Sequence, residues 1–336
     1  MGEGAAVNRE LPIPTPEYAA GGIISLSPLV TISKVAIDTP MGIAPFAPYL
    51  ASIPSLNFVG LSWTCESPSA AEGIRDNMRR AIEILPLAHF VMLANTEAEA
   101  WLLSRLGVPN LLANELIFVD EHLYAPPPVT PPQEYDASYV ARLLPFKRHH
   151  LAADISSLLL LYGPPSESEK SAVEEVLPQA HFQNHSTGAY CYYNSDKVAA
   201  TLSRAATGLA LSAEEGSMRA FMESLLCGLP VVTTPSRGGR ARYAYEPYVI
   251  TSPPDSSHVA RAVGKLVAAN HGRAEVRASA LHQLEIERLR FTLSMEPIYT
   301  ATVGLVDGIH SFEPFRGKSV KWSKTEDILN QLAGAV

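Results

Sequence analysis

The segment Leu211–Thr234, LSAEEGSMRAFMESLLCGLPVVTT, constrains this chain more than any other stretch. Good helix formers fill the run from Met218 to Cys227, Ser217 is the expected N-cap, and Gly228 with Pro230 stops the helix ahead of a β-branched strand. A loop, a helix, a tight turn and an apolar strand in that order make half of a parallel α/β unit, because parallel neighbours need a crossover between them. The same segment sets Glu215 and Glu223 eight residues apart, a span of roughly 12 Å at helical rise. The amides of the first helical turn, at the positive end of the helix dipole, favour an anion at this junction. Two glutamates alone would read as ordinary solvated side chains, so the surrounding sequence has to decide.

Upstream, Ser138–Ala141 reads as a strand, Arg142 closes it, Pro145 turns the chain and Lys147 opens the next segment. Arginine offers a planar fork and lysine a mobile point charge, a combination suited to a group that gains negative charge. Together these residues resemble the donor-site signature of the retaining, GT-B-fold glycosyltransferases of the glycogen-synthase and sucrose-synthase-like group. The matching stretches are Arg142 with Lys147, EGSMRAFMESLLCGLPVV, and Gly238-Gly239, and the resemblance covers roughly residues 93–267. Two departures stand out. The glycine before the arginine is Ala141, and the second loop glycine is Met218.

The resemblance implies an α/β protein of two Rossmann-like domains facing a cleft, the N-terminal one shortened. It implies transfer of a hexosyl group from a nucleoside diphosphate sugar, UDP- or GDP-linked, with retention and without a metal or other cofactor. Arg142 and Lys147 would meet the diphosphate and Glu215 would orient the sugar. Gly216, Ser217, Met218 and Arg219 would form the phosphate loop, with Met218 filling space beside the sugar, and Glu223 would hold the ribose. Gly163 and Tyr193, or its neighbour Tyr192, would frame the base. The acceptor, whether a small molecule, a glycan or a lipid-linked group, is left open, as is the oligomeric state. The same fold also serves nucleotide-sugar epimerases and sugar phosphorylases, and a non-catalytic binding protein is a further alternative.

Other chemistry is poorly represented. The formal charge of −8 argues against a nucleic-acid partner, and acidic residues outnumber basic ones in residues 1–130. Cys65, Cys191 and Cys227 are too few and too scattered for a disulfide framework or a zinc site, which fits a reduced, cytoplasmic setting. No apolar run approaches a membrane span. There is no nucleophile elbow, zincin helix or P-loop. His149 and His150 are adjacent and point in different directions on a helix, so they make a poor metal pair. His89 and His122 read as structural histidines.

Along the chain, residues 1–20 are polar, proline-rich and expected to be disordered. Strands are expected at 22–26, 33–38, 56–62, 90–94 and 111–119, with helices at 69–84 and 96–106, the second opened by a Thr96–Glu99 capping box. This first domain spans 21–125. Five prolines within Tyr124–Asp136 mark a linker at 126–136. The α/β rhythm then resumes over 137–290 as the nucleotide-sugar domain, its sites at the carboxyl ends of the strands. Residues 291–336 form a helical tail expected to cross back to the first domain. A glycine-rich loop after the first strand has only one weak candidate, at 41–45.

Overall fold

A computed structural model describes residues 18–26, 29–34, 53–61, 63–129, 131–303, 321–324, 326–327 and 329–330. The chain divides into two compact units, residues 1–118 with 290–336, and residues 119–289. Among the described residues no helix is long and apolar enough to cross a membrane.

The first unit contains β1 (Tyr18–Leu26), β2 (Leu29–Lys34), β3 (Ser55–Gly60), α1 (Pro68–Ile84), β4 (Ala88–Ala94), α2 (Glu97–Arg105) and β5 (Asn110–Leu112). Strands β2 to β5 are parallel and adjacent in chain order, and β1 joins their edge antiparallel to β2. Strands laid down steadily in one direction, with right-handed crossovers, put their helices on one face. Alternation along each strand then sorts the side chains. Val59, Phe90 and Met92 pack with Met78 and Ala81 of α1 and Leu103 of α2. Phe58, Val91 and Leu93 point the other way, to a face that α1 and α2 do not cover. That face is closed by the final part of the long helix Arg273–Val303, through Phe291, Met295 and Tyr299. Phe291 sits edge-on between Phe58 and Phe118, at centroid distances of 5.2 and 5.7 Å.

The second unit contains β6 (Tyr135–Val140), β7 (Leu158–Leu161), α3 (Glu167–Val176), β8 (His181–Phe182), α4 (Ser195–Leu202), β9 (Ala205–Ala210), α5 (Arg219–Leu226), β10 (Val231–Thr233), β11 (Val249–Thr251), α6 (Ser256–Ala269) and the first part of α7 (Arg273–Val303). All its strand pairs are parallel, in the order β11-β10-β9-β6-β7-β8. The chain starts in the middle at β6, builds outward to β8, then returns to the other side of β6 with β9. The order therefore reverses between β6 and β9, and loops leaving these two strands diverge to open a crevice at their carboxyl ends. Gly228 ends α5 with φ +78, and a Cβ there would lie 2.6 Å from Arg273. Glycine allows both the left-handed turn and the close approach.

Several sequence expectations are corrected. The strand expected at 33–38 is β2, Leu29–Lys34; residues 35–38, like 1–17 and the candidate loop at 41–45, lie outside the described residues. The strand expected over 111–119 stops at Leu112, and Glu115–Phe118 is a 3₁₀ helix. Asn114 Oδ1 accepts the Leu116 amide at 3.0 Å, a local turn that competes with the ladder. Thr96 caps α2, but the buried Glu99 carboxylate accepts the amides of Cys65 and Asn95 instead of closing a reciprocal box. The change of unit falls at 118/119, ahead of the proline-rich stretch. Arg288 holds the Val119 carbonyl and the Glu121 carboxylate, and Arg277 holds the Glu121 and Tyr124 carbonyls, which binds 119–124 to the second unit. In the tail, residues 291–303, 326–327 and 329–330 are helical as expected, but Lys321–Lys324 is a strand, β12, paired antiparallel with β1.

Phe291→Ala should destabilise the first unit by about 3–4 kcal/mol, the usual range for emptying a buried aromatic site. Denaturant unfolding followed by a probe in that unit measures it; a loss below about 1 kcal/mol would mean that α7 is not needed to close this face.

Candidate functional site

The crevice between β6 and β9 is built from two short loops. After β6, Pro145–Lys147 and His149–Ala152 form 3₁₀ turns that meet at Arg148, a left-handed residue with φ +53. The buried Tyr139 hydroxyl donates to the Lys147 carbonyl at 2.5 Å and fixes the first turn. After β9, the loop Leu211–Met218 leads into α5. Its Ala213 amide donates to the Phe146 carbonyl at 3.2 Å, which joins the two loops. Lys147 Nζ then donates to Glu215 Oε1 in a close ion pair, both side chains 12% exposed.

The Glu215 loop is held from its far side by the segment after β10. Arg237 N donates to the Ala213 carbonyl, Glu215 N to the Arg237 carbonyl and Gly239 N to the Gly216 carbonyl. Arg237 also pairs with Glu214. Between these bonds Gly238 has φ +105, and a Cβ there would lie 1.5 Å from the Glu215 carbonyl oxygen. Only glycine fits both the conformation and the clearance.

Lys147 also lines a cavity of about 260 Å³ with Arg142, Tyr162, Gly163, Tyr190 and Tyr193. Arg142 is exposed at its mouth. Tyr193 accepts a hydrogen bond from Gln183 Nε2 at 2.8 Å, with Lys197 Nζ 5.8 Å from its ring centre. Tyr162 stacks on His185, and its hydroxyl is 2.8 Å from His185 Nδ1. Tyr192 is 71% exposed at the rim. A separate groove of about 540 Å³ runs between Leu143–Pro145 and α3, with mostly apolar walls.

Arg142, Lys147, Gly163 and Tyr193 thus share one cavity, and Glu215 joins them through Lys147. Glu223 lies deeper, 8% exposed, with Arg219 Nη2 3.5 Å from its carboxylate. Burial pushes its carboxyl up, opposed by the neighbouring Arg219 and Tyr124, while the Tyr124 hydroxyl itself donates to Ser195 Oγ at 3.3 Å. Helix α5 begins at Arg219, with Met218 at the N-cap position and no side-chain cap. Met218, not Ser217, is therefore the N-cap residue. Met218 points into the protein, not beside a donor sugar. It is 2% exposed, its sulfur 3.1 Å from Arg240 Nη1 and 3.7 Å from the Ser212 hydroxyl. A polarizable sulfur suits buried donors, so only the Met218 backbone is left for a ligand.

His149 is buried against the Tyr139 ring, centroids 5.1 Å apart, and its imidazole is pushed down to about 4 by burial, with Lys147 and His150 adding to the shift. His150 is exposed, and both histidines line the groove beside α3. Arg148 and Arg240 were not legible as site residues, since their partners lie far along the chain. Arg148 donates to the carbonyls of Leu211 and Ser212 and to the Thr234 hydroxyl. Arg240, 3% exposed, reaches Ser212 and Thr234 from below.

No family model and no curated protein matches this sequence. Solved structures match it in fold. HepE of Anabaena, in complex with UDP, superposes with a TM-score of 0.53 at 17% identity, over 80% of this chain and 78% of that one. AviGT4, a glycosyltransferase involved in avilamycin A biosynthesis, gives 0.51 at 14% identity, over 81% and 80%. The α,α-trehalose 6-phosphate synthase from Burkholderia multivorans gives 0.51 at 14% identity, over 81% and 71%. The fold is GT-B, with two Rossmann-like units.

Gly238→Ala should destabilise the second unit by at least about 2 kcal/mol, because it combines a glycine-only conformation with a clash on the Glu215 carbonyl. An unchanged denaturant midpoint would show that the 235–239 segment does not clamp the Glu215 loop.

Proposed function

We propose that this chain is a glycosyltransferase that takes a sugar from a nucleoside diphosphate donor and passes it to an acceptor with retention at the anomeric carbon. The observation that carries this reading is the meeting of Lys147 and Glu215 at the strand-order reversal of the second unit, beside an aromatic cavity that also holds Arg142 and Gly163. A cation next to a carboxylate suits a ligand with a phosphate and a hydroxylated ring side by side. Proteins of the same fold were solved with UDP and with UDP-glucose, which supports a nucleoside diphosphate as the bound group.

In this mechanism the nucleoside enters the tyrosine-lined cavity, its base beside Gly163 and Tyr193. The diphosphate lies over Arg142, Lys147 and the amides of residues 216–219. Glu215 accepts hydrogen bonds from the sugar hydroxyls. Glu223 accepts them from the ribose, with Arg219 beside it. When the bond between the anomeric carbon and the phosphate oxygen breaks, the leaving diphosphate gains negative charge, and Lys147 and Arg142 stabilise that charge more than the ground state. The acceptor hydroxyl attacks from the face the diphosphate leaves, and its proton passes to a diphosphate oxygen. Protein cations neutralise the leaving group, so turnover does not depend on a divalent metal.

Calorimetric titration with UDP, GDP, ADP and dTDP tests the reading. One of them should bind with a preference over the others, and binding of none would overturn it. Glu223→Ala should weaken the preferred nucleotide by about 1.5–3 kcal/mol, as for hydrogen bonds to a charged group; unchanged affinity would remove Glu223 from the site.

Lys147→Ala should lower turnover more than it weakens nucleoside binding, because the charge it meets develops in the transition state. With the wild type, sugar transfer should persist in EDTA. Loss on chelation with recovery on adding Mg²⁺ would point to a metal-dependent mechanism.

A further inference from the structure

We propose that Arg148 and Arg240 form a second tier of cations beneath the Lys147–Glu215 pair, positioning its loop and adding the positive field that selects a diphosphate. This deepens the reading above and rests on it for the identity of the nucleotide.

Both guanidinium groups converge on one backbone unit. Arg148 Nε donates to Leu211 O at 2.6 Å, and its Nη2 to Ser212 O at 3.0 Å and to Thr234 Oγ1 at 2.6 Å. Arg240 Nη1 donates to Ser212 Oγ at 2.7 Å and contacts the Met218 sulfur at 3.1 Å. Its Nη2 donates to Ser212 O at 3.1 Å and to Thr234 O at 3.0 Å. Every one of these acceptors is neutral. Among the described residues neither arginine makes an ion pair with a carboxylate.

A charge held on neutral acceptors in a protein interior is costly without a counter-ion. Arg273 and Arg277 also rest largely on carbonyls, but several of theirs belong to the carboxyl ends of helices. Ser203 is the C-cap of α4, Cys227 the C-cap of α5, and Leu226 the last residue of α5. The negative end of each helix dipole offsets those two arginines. Arg240 lies at the opposite end, against Met218 at the N-cap of α5, where the dipole is positive. Cation and dipole reinforce each other there, with the nearby Glu215 carboxylate as counter-charge, and an anion placed above the loop adds to that compensation. Met218, which stands where the resembled family carries glycine, provides the seat that brings Arg240 under the helix start. Burial lowers the Arg240 pKa to about 10, and the nearby Glu215 carboxylate acts the other way. Arg142, Lys147, Arg148 and Arg240 thus accompany Glu215 at the crevice, beside the paired charges Arg219–Glu223 and Arg237–Glu214.

The test compares wild type with R240Q, R240K and R148G. Glycine adopts the φ +53 that residue 148 requires, so R148G removes the charge without backbone strain and decides the matter if R240Q fails to fold. Each protein is titrated calorimetrically with UDP, GDP, ADP and dTDP, with the matching nucleosides, and with inorganic pyrophosphate, and thermal unfolding is recorded alongside. R240Q and R148G should lose about tenfold in affinity for the preferred diphosphate and for pyrophosphate, the scale of one removed charge in a partly screened site, while nucleoside affinity stays within about twofold. R240K should recover part of the loss, since it restores the charge without the fork. Folded variants that bind diphosphate and pyrophosphate like wild type overturn the proposal, as does equal loss for nucleoside and diphosphate. Wild type that binds no nucleotide, yet binds pyrophosphate in an Arg240-dependent way, would sink the glycosyltransferase reading and keep the anion site. Wild type that binds neither ends both.

Discussion

The ion pair between Lys147 and Glu215 depends on a single topological fact, the reversal of strand order between β6 and β9. The two residues are separated by 68 positions in sequence, and nothing local brings them together. Because the loops after adjacent parallel strands part in opposite directions at the reversal, each can fold back over the strand ends and present its side chains to the other. The remaining site geometry depends on that meeting. Tyr139 fixes the Lys147 turn, Gly238 allows the 235–239 segment to lie against the Glu215 loop, and Arg148 and Arg240 anchor the backbone below.

A different constraint governs the first unit. Its parallel strands run in sequential order, so α1 and α2 cover one face only and the other needs a cover from elsewhere in the chain. The last part of α7 supplies it, and β12 pairs at the edge beside β1. The first unit therefore depends on residues from both termini of the sequence. Buried aromatic packing around Phe291 is the term that holds this arrangement.

Much of the α/β rhythm was legible, since apolar β-branched runs and capped helices are local signals. Ser166 with Glu169 forms a complete capping box, and Asn194 and Asp255 each cap the helix that begins after them. Arg142, Lys147, Glu215 and Glu223 stand out only through the resemblance of two short motifs to a glycosyltransferase donor signature, since by spacing alone they read as solvated charges. What sequence could not carry is non-local. Arg148 and Arg240 find their acceptors 63 and 28 residues away, and a charged side chain gives no hint that it will be held on carbonyls. The inward turn of Met218 depends on Arg240 for the same reason. The β1–β12 pairing joins opposite ends of the chain, and the 3₁₀ turn at Glu115–Phe118 arises because Asn114 competes for a strand amide.

If the strand-order reversal of the second unit holds a diphosphate on Lys147, as proposed, bound phosphates sit at that crevice. A crystal structure of the protein with the nucleoside diphosphate it binds best is the most direct test. Diphosphate oxygens are expected within hydrogen-bond reach of Lys147 Nζ, Arg142 and the backbone amides at 216–219, with the nucleoside in the cavity beside Tyr193. A nucleotide seated away from that crevice, with its phosphates out of reach of Lys147, would contradict it.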